Sequence, residues 1–280
     1  MFIEKSIKQR IFIVGCPRSG TTLLQGMLNA HPQIQSFPET HFFSRAYPRH
    51  RIKRLVTWPA LNVQTVLEGF LSEIKRPDLI PEAKTSLFTR HYAEKFCLLL
   101  DKLTVEANKN IWVEKTPRHL HFIKQISNQI PNSKFIHIVR NGPDVVASLY
   151  QATNENPRAW TKGRTPGFKG FSVDECINRW NHDVQITARY QHMPNHLIVK
   201  YNLLVNQPEL SIQPIADFLH INYVPAMLSA EKAFHEIVGA NEPWKSNNKR
   251  SVHTPESKFK KIFPLTTQQY ILDQLIAIDF

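Results

Sequence analysis

The stretch IFIVGCPRSGTTLL, residues 11–24, decides the fold class of this chain. Its first four residues are apolar and three of them are β-branched, which is typical of a buried strand. A turn with two glycines follows, and then apolar residues recur at helical spacing: Leu23, Leu24, Met27 and Leu28. A strand, a glycine-containing turn and a helix in this order place backbone N–H groups around a phosphate.

The turn has the spacing of a phosphate loop, G-x-x-x-x-G, from Gly15 to Gly20. In nucleotide-hydrolysing proteins the second glycine is followed by Lys, which clamps the β- and γ-phosphates. Here Thr21 occupies that position, and the cation, Arg18, lies inside the loop. We therefore expect the loop to bind a phosphate that is not part of a magnesium triphosphate.

Composition is ordinary for a globular protein, with 42% hydrophobic and 21% charged residues, and we predict a single domain over residues 1–280. The net charge of +12 indicates an anionic partner, and no nucleic-acid motif is present. The three cysteines have no metal-ligand spacing, and neither a leader nor a transmembrane stretch is apparent. These features predict a cytoplasmic protein with reduced thiols.

Strand and helix patterns alternate along the chain. Strands are predicted at 33–37, 111–113, 134–139 and 196–200, and helices at 63–74, 86–108, 119–130, 173–191, 208–219 and 264–278. This order predicts an α/β fold: a phosphate-loop-type parallel β-sheet with helices on both faces, in three layers. We further predict a helical insertion at 45–105, a basic, mobile loop at 154–170, and a flap over cofactor or substrate at 241–262.

Polar residues lie at the ends of four of the predicted strands, at the sheet edge where ligands bind in parallel sheets. They are residues 18–22, residues 114–116, Arg140 with Ser148 in the next helix, and residues 200–201. Arg140 and Ser148 are suited to one phosphate, because Arg forks onto two oxygens and Ser donates a third bond. The convergence predicts a polyanion site.

Glu39 is a candidate general base near the phosphate loop. It follows Pro38 and precedes His41, Phe42 and Phe43, and aromatic neighbours would raise its pKa and suit it to proton abstraction. Two other interpretations stay open at this point: Glu39 could cap a helix, and His41 could be the base.

Two segments resemble a known family. Residues 15–22, GCPRSGTT, resemble the 5′-phosphosulfate loop of sulfotransferases that use 3′-phosphoadenosine 5′-phosphosulfate (PAPS). Residues 135–148, FIHIVRNGPDVVAS, resemble the 3′-phosphate motif of the same family, again with Arg140 and Ser148. Residues 17–23 and 29–32 resemble the tyrosylprotein branch, whereas residues 39–43, ETHFF, also resemble the glycosaminoglycan branch. Both branches place the catalytic base on Glu39.

The resemblance implies direct transfer of a sulfuryl group from PAPS to an acceptor hydroxyl, with 3′,5′-adenosine bisphosphate (PAP) as the other product. Glu39 would take the proton, while Arg18 and Lys115 would stabilise negative charge. The implied cofactor site consists of Arg18, Ser19, Gly20, Thr21, Thr22, Arg140, Ser148, Tyr201 and Lys245. No metal is expected. An acidic glycan or a peptide tyrosine is favoured as acceptor over a small phenol.

Two other functions are compatible with parts of the sequence. A nucleotide kinase or other phosphate-loop nucleoside triphosphatase would use the same strand-turn-helix unit, although the Lys after Gly20 is missing. A non-catalytic polyanion-binding protein would account for the net charge alone.

Overall fold

The computed structural model describes residues 7–46, 63–83, 88–161, 167–228 and 258–280. Within these ranges the strands form one five-stranded sheet, ordered β2-β3-β1-β4-β5, in which every neighbouring pair is parallel. The strands are β1 (Gln9–Val14), β2 (Ile34–Ser36), β3 (Ile111–Lys115), β4 (Ser133–Val139) and β5 (His196–Lys200). The parallel α/β sheet predicted from the sequence is confirmed.

Helices cover both faces of this sheet. They are α1 (Thr21–Asn29), α2 (Phe42–Ala46), α3 (Val63–Glu73), α4 (Thr89–Glu106), α5 (Ile123–Gln129), α6 (Gly142–Glu155), α7 (Pro157–Thr161), α8 (Val173–Ala188), α9 (Tyr201–Asn206), α10 (Pro208–Phe218), α11 (Lys258–Ile262) and α12 (Leu265–Gln274). Short 3₁₀ helices lie at Pro77–Ala83, Pro117–Phe122 and Pro225–Leu228. None of the helices in the described ranges is long and apolar enough to cross a bilayer.

Strand β1 lies at the centre of the sheet and is buried on both sides. Phe12 and Val14 pack into a cluster with α3 and α4, whereas Ile11 and Ile13 pack against α1 and α10. The Phe12 ring meets Trp112 edge-on, with 5.3 Å between the ring centroids. Because helices shield both faces, the strand is a continuous apolar run and not an alternating one.

The order of the strands places the phosphate loop at a switch point. The chain leaves β1 for β2 and β3 on one side and then crosses to β4 and β5 on the other. Ile13 pairs with Lys115 of β3, and Val139 of β4 pairs with Lys200 of β5. The carboxyl ends of these strands therefore lie along one edge, which is where ligands bind in open parallel sheets.

The segment predicted as a basic, mobile loop at 154–170 differs from the structure. Helix α6 continues to Glu155 and α7 follows at once, while residues 162–166 lie outside the described residues. The cause is tertiary: the Thr153 hydroxyl accepts a hydrogen bond from the Phe171 backbone N–H at 3.1 Å, and the Asn154 amide donates to the Phe171 carbonyl at 3.0 Å. Of the predicted insertion, the described stretches are helical; of the predicted flap, residues 241–257 lie outside the described residues.

Candidate active site

The phosphate loop between β1 and α1 has a conformation that depends on its glycines. Gly20 has a φ of 97°, and a methyl group added there would overlap the ring of Tyr201. A Cβ at Gly15 would lie 2.5 Å from the carbonyl oxygen of Ile138. Arg18 also has a positive φ, 75°, which is strained for a residue with a side chain and is typical of functional sites.

The N-terminus of α1 opens onto this loop. No described side chain caps the helix, and its first turn contains no acidic residue, so its leading N–H groups are suited to an anion. Thr21 and Thr22 are buried. Ser19 is 1% exposed, and its hydroxyl has no hydrogen-bond partner among the described residues. A buried polar atom of this kind normally has a partner, which a phosphate oxygen would provide.

Arg140, at the end of β4, packs over the ring of Tyr201, with 4.6 Å from the guanidinium carbon to the ring centroid. One of its terminal nitrogens lies 3.2 Å from Asp144, and its Nε is buried without a partner in the described part of the chain. Burial raises the pKa of Tyr201, so the phenol stays neutral beneath the cation. The Tyr201 ring thus packs against both the guanidinium of Arg140 and the backbone of Gly20.

Ser148 contacts the phosphate loop. Its hydroxyl accepts a hydrogen bond from the Nε of Arg18 at 3.2 Å. From the sequence we paired Ser148 with Arg140 on one phosphate; the described contact is with Arg18, because α6 runs back along the loop after β4. The two cations and the hydroxyl lie on adjacent elements of one sheet edge.

Lys258, in α11, is a candidate site residue that we did not predict. Burial lowers its pKa, and the positive charges of Arg18 and Arg140 lower it further. Its ammonium donates to the Gln151 side chain at 2.7 Å. Lys258 therefore lies close enough to Arg18 and Arg140 to be affected by their positive charges, and an anion bound here would offset that repulsion. The basic run 258–261 was the available signal, whereas Lys245, which we predicted instead, lies outside the described residues.

Glu39 lies beside a lysine ammonium and an imidazole ring. The ammonium of Lys115, a side chain 1% exposed, donates a hydrogen bond to Glu39 Oε1. The Nε2 of His41 is 3.6 Å from Glu39 Oε2. From the sequence we expected aromatic neighbours around Glu39; the structure places Lys115 and His41 beside its carboxylate.

A buried carboxylate, Glu114, lies directly before Lys115 and is fully enclosed. It accepts hydrogen bonds from the hydroxyls of Thr40 at 2.8 Å and Thr116 at 2.6 Å, and from Nδ1 of His119 at 2.8 Å. Burial alone would raise the pKa of the Glu114 carboxyl. The interaction with His119 and the two hydroxyl bonds outweigh burial and hold the pKa below its ordinary value.

This network anchors the segment that carries Glu39. The His41 N–H donates to the Thr116 hydroxyl and the Phe43 N–H donates to Nε2 of His119, each at 3.2 Å. Since that nitrogen accepts, the tautomer assigned to His119 has its proton on Nδ1, facing Glu114. We noted Glu114 in the sequence only as a polar residue at a strand end; its role as a hub depends on residues from two distant segments.

The family to which the chain belongs follows from comparison with known proteins. The family model described as "Sulfotransferase family" matches residues 10–225, so the chain belongs to the sulfotransferase family. The predicted family and the prediction of an enzyme are confirmed.

Several relatives in sequence are protein-tyrosine sulfotransferases. The chain is 25% identical over 240 residues to a putative protein-tyrosine sulfotransferase of Caenorhabditis briggsae, covering 84% of this chain and 72% of the relative. It is 28% identical over 226 residues to the protein-tyrosine sulfotransferase of Drosophila melanogaster, covering 79% and 40%. It is 26% identical over 243 residues to protein-tyrosine sulfotransferase 1 of Danio rerio, covering 86% and 61%. The last two relatives are therefore much longer than the region they share with this chain.

Solved structures confirm the fold. The sulfotransferase domain of the Synechococcus PCC 7002 olefin synthase has a TM-score of 0.58 at 19% identity, covering 95% of this chain and 94% of that one. The sulfotransferase domain from the curacin biosynthetic pathway has a TM-score of 0.59 at 20% identity, covering 96% and 97%. Mouse sulfotransferase SULT7A1, solved in complex with PAP, has a TM-score of 0.50 at 14% identity, covering 97% and 85%.

The predicted cytoplasmic location is wrong. The relatives that contradict it are the protein-tyrosine sulfotransferases, to which the chain is similar over most of its length. The prediction relied on three thiols and on the absence of an apolar leader. Because the chain spans only 40% to 61% of several of these relatives, its first residues carry no information about a leader or an anchor.

Proposed function

We propose that this chain transfers a sulfuryl group from PAPS to the phenolic hydroxyl of a tyrosine in a protein or peptide. The observation that carries the proposal is the arrangement along one sheet edge. Arg18, Arg140 and Lys258 form a cationic cluster beside the phosphate loop, and the Lys115–Glu39 pair follows the adjacent strand. A doubly phosphorylated nucleotide and a proton acceptor both fit such an edge.

The phosphates of the cofactor would bind at separate places. Backbone N–H groups at the start of α1 and the Ser19 hydroxyl suit the 5′-phosphate. Arg140, Ser148 and Lys258 suit the 3′-phosphate, since Arg140 retains a buried Nε without a partner among the described residues. The PAP in the solved SULT7A1 structure supports a cofactor of this class.

In the proposed reaction the tyrosine oxygen attacks sulfur, and the bond from sulfur to the bridging phosphate oxygen breaks. Glu39 accepts the tyrosine proton, and PAP leaves with the bonding electrons. Arg18 and Lys115 stabilise the charge on the sulfuryl oxygens and on the leaving phosphate. The Lys115 ammonium has three N–H donors, so it can hold Glu39 and one sulfuryl oxygen together.

A tyrosine acceptor is supported by the relatives' names and by the charge of the chain. The protein-tyrosine sulfotransferases match 79% to 86% of this chain, and a net charge of +12 favours an acidic peptide around the tyrosine. An acidic glycan, suggested by the resemblance of residues 39–43, is the competing acceptor.

Transfer is tested with radiolabelled PAPS and three acceptors: an acidic peptide with one tyrosine, its phenylalanine counterpart, and an acidic glycan. We expect label only in the tyrosine peptide. Glu39→Gln should lower kcat about 10²- to 10⁴-fold, the usual contribution of a general base, while Glu94→Gln, on an exposed helix surface, leaves it unchanged. An unaltered kcat in Glu39→Gln would exclude this base, and label in the glycan alone would exclude the acceptor.

Cofactor binding is tested separately by calorimetry. PAP should bind to the protein without added metal, and ATP should bind far more weakly, whereas a phosphate-loop kinase would show the reverse. Lys258→Met should weaken PAP by about tenfold or more, because a charge-assisted hydrogen bond is lost. Lys260→Met, an exposed neighbour in α11, is the matched control. Equal losses of PAP affinity in the two variants would mean that the overall positive charge, and not a direct contact with Lys258, determines binding.

A further inference from the structure

A second cluster of ligating side chains lies behind the phosphate loop. His121 belongs to the 3₁₀ helix that follows β3, and His182 and Asp183 belong to α8. One ligand atom from each of the three residues lies within 4.8 Å of the other two. The Nε2 of His121 is 2.9 Å from Asp183 Oδ1, and the two imidazole rings are 5.2 Å apart between centroids.

The chemistry of these donors selects one class of ion. Two imidazole nitrogens and one carboxylate oxygen suit zinc and neighbouring divalent transition metals, whereas magnesium and calcium prefer oxygen ligands alone. Both histidines are exposed, so water can reach and complete the coordination shell. The Asp183 side chain is only 7% exposed, unlike the surface carboxylates that cluster without binding an ion.

Asp183 also lies beside the phosphate loop, because its carboxylate interacts electrostatically with Cys16, a buried residue of that loop.

We propose that His121, His182 and Asp183 bind one divalent transition-metal ion of the zinc class. The ion would join α8 to the 3₁₀ helix after β3, one side chain away from the phosphate loop. No step of the proposed sulfuryl transfer passes through it, so its role is to stabilise the fold at the base of the active site.

The test uses the full chain without a histidine tag, treated with chelator and then titrated with Zn²⁺ against a chromogenic chelator. We expect one equivalent to bind, Mg²⁺ not to compete, and Co²⁺ to give a visible absorption band. Saturating Zn²⁺ should raise the unfolding midpoint by about 5 °C.

Variants decide whether the binding site is this cluster. His182→Ala and His121→Asn should each lower Zn²⁺ affinity at least about 100-fold, because each removes a side chain that binds the ion directly. His192→Ala, an exposed histidine just beyond α8 whose partner is Gln191, should bind as the wild type does. The proposal is overturned if the wild type binds no Zn²⁺, which would leave an ion pair only, or if all three variants bind equally. PAP binding is a separate measurement, so neither result depends on the proposed transfer reaction.

Discussion

Replacing Glu114 by Gln should destabilise the protein and slow the reaction through Glu39. The glutamine retains one oxygen for the hydroxyls of Thr40 and Thr116, but its NH₂ group faces Nδ1–H of His119, which is also a donor. Because the pKa of Glu114 is lowered despite complete burial, the fold favours the ionised form over a neutral one. A neutral isostere therefore loses stabilisation even though it avoids the desolvation of a charge.

The magnitude follows from the bonds that change. A hydrogen bond to a charged acceptor contributes about 1.5–3 kcal/mol, and two others become weaker neutral bonds, so we expect a loss of about 3 kcal/mol. For a chain of 280 residues the unfolding midpoint would fall by roughly 5 °C. Since the network also anchors the segment around Glu39, kcat should fall about tenfold while KM for PAPS stays constant.

Urea unfolding and initial rates measure the two effects. Glu94→Gln is the control, because its i,i+4 pair with Arg90 is exposed and contributes about 0.5 kcal/mol at most. The wild-type advantage should persist at pH 7 and shrink as pH falls below the ordinary Glu pKa of 4.5, because the unfolded chain then binds a proton at Glu114 before the folded protein does; the advantage is lost once pH has fallen through the lower folded pKa. A stability within about 1 kcal/mol of wild type would refute the buried network. Lower stability with unchanged kcat would refute the positioning of Glu39.

Three further predictions follow from the fold. Gly20→Ala should weaken PAP binding at least about tenfold in calorimetry, because the added methyl overlaps the Tyr201 ring and because the residue has a positive φ. The control Gly69→Ala, with open space around it, should stabilise its helix by about 0.5–1 kcal/mol. Retained PAP affinity in Gly20→Ala would contradict the prediction. His137 and His196, a buried pair 2.8 Å apart, have pKa values lowered by burial to about 3 and about 4. The unfolded chain therefore binds more protons than the folded protein below pH 6.5, and lowering the pH to 5 should reduce the free energy of unfolding by about 2 kcal/mol per histidine. In urea unfolding, His196→Gln should halve this pH dependence. An unchanged pH dependence in the variant would argue against the buried pair. Asp101→Asn breaks a bidentate contact with the buried Arg10, whose nitrogens lie 2.7 and 3.1 Å from the carboxylate oxygens. Thermal unfolding should show that the free energy of unfolding falls by about 3–5 kcal/mol. A loss below about 1 kcal/mol would show that the pair is solvated.

The candidate site was accessible from the sequence where its residues lie next to strand ends. Arg18, Lys115 and Arg140 each follow or end an apolar strand, and a parallel sheet brings such positions to one edge. Contacts between distant segments were not accessible. The pairing of Ser148 with Arg18 depends on the path of α6, and the position of Lys258 depends on where α11 packs.

Helix boundaries show the same division. The apolar period predicted the helix now seen at Val173–Ala188, because its core residues recur on one face; in the structure Ser172 and Glu175 also form a capping box at its start. It did not predict the short helix Tyr201–Asn206, which begins directly after β5. Helices of one or two turns have too few residues for a period, and neighbouring elements rather than local propensity stabilise them.

By itself, the sequence determined the strand-turn-helix unit at residues 11–24, the parallel α/β class and the cationic strand ends. These features depend on residue type and local spacing, which the chain carries in any conformation. Only the tertiary structure decided the order of the strands, the Lys115–Glu39 pair, the Glu114 network that holds it, and the addition of Lys258 to the cationic cluster. Those features join segments far apart in the chain, and such segments come together only when the core has packed and fixed the direction of each side chain.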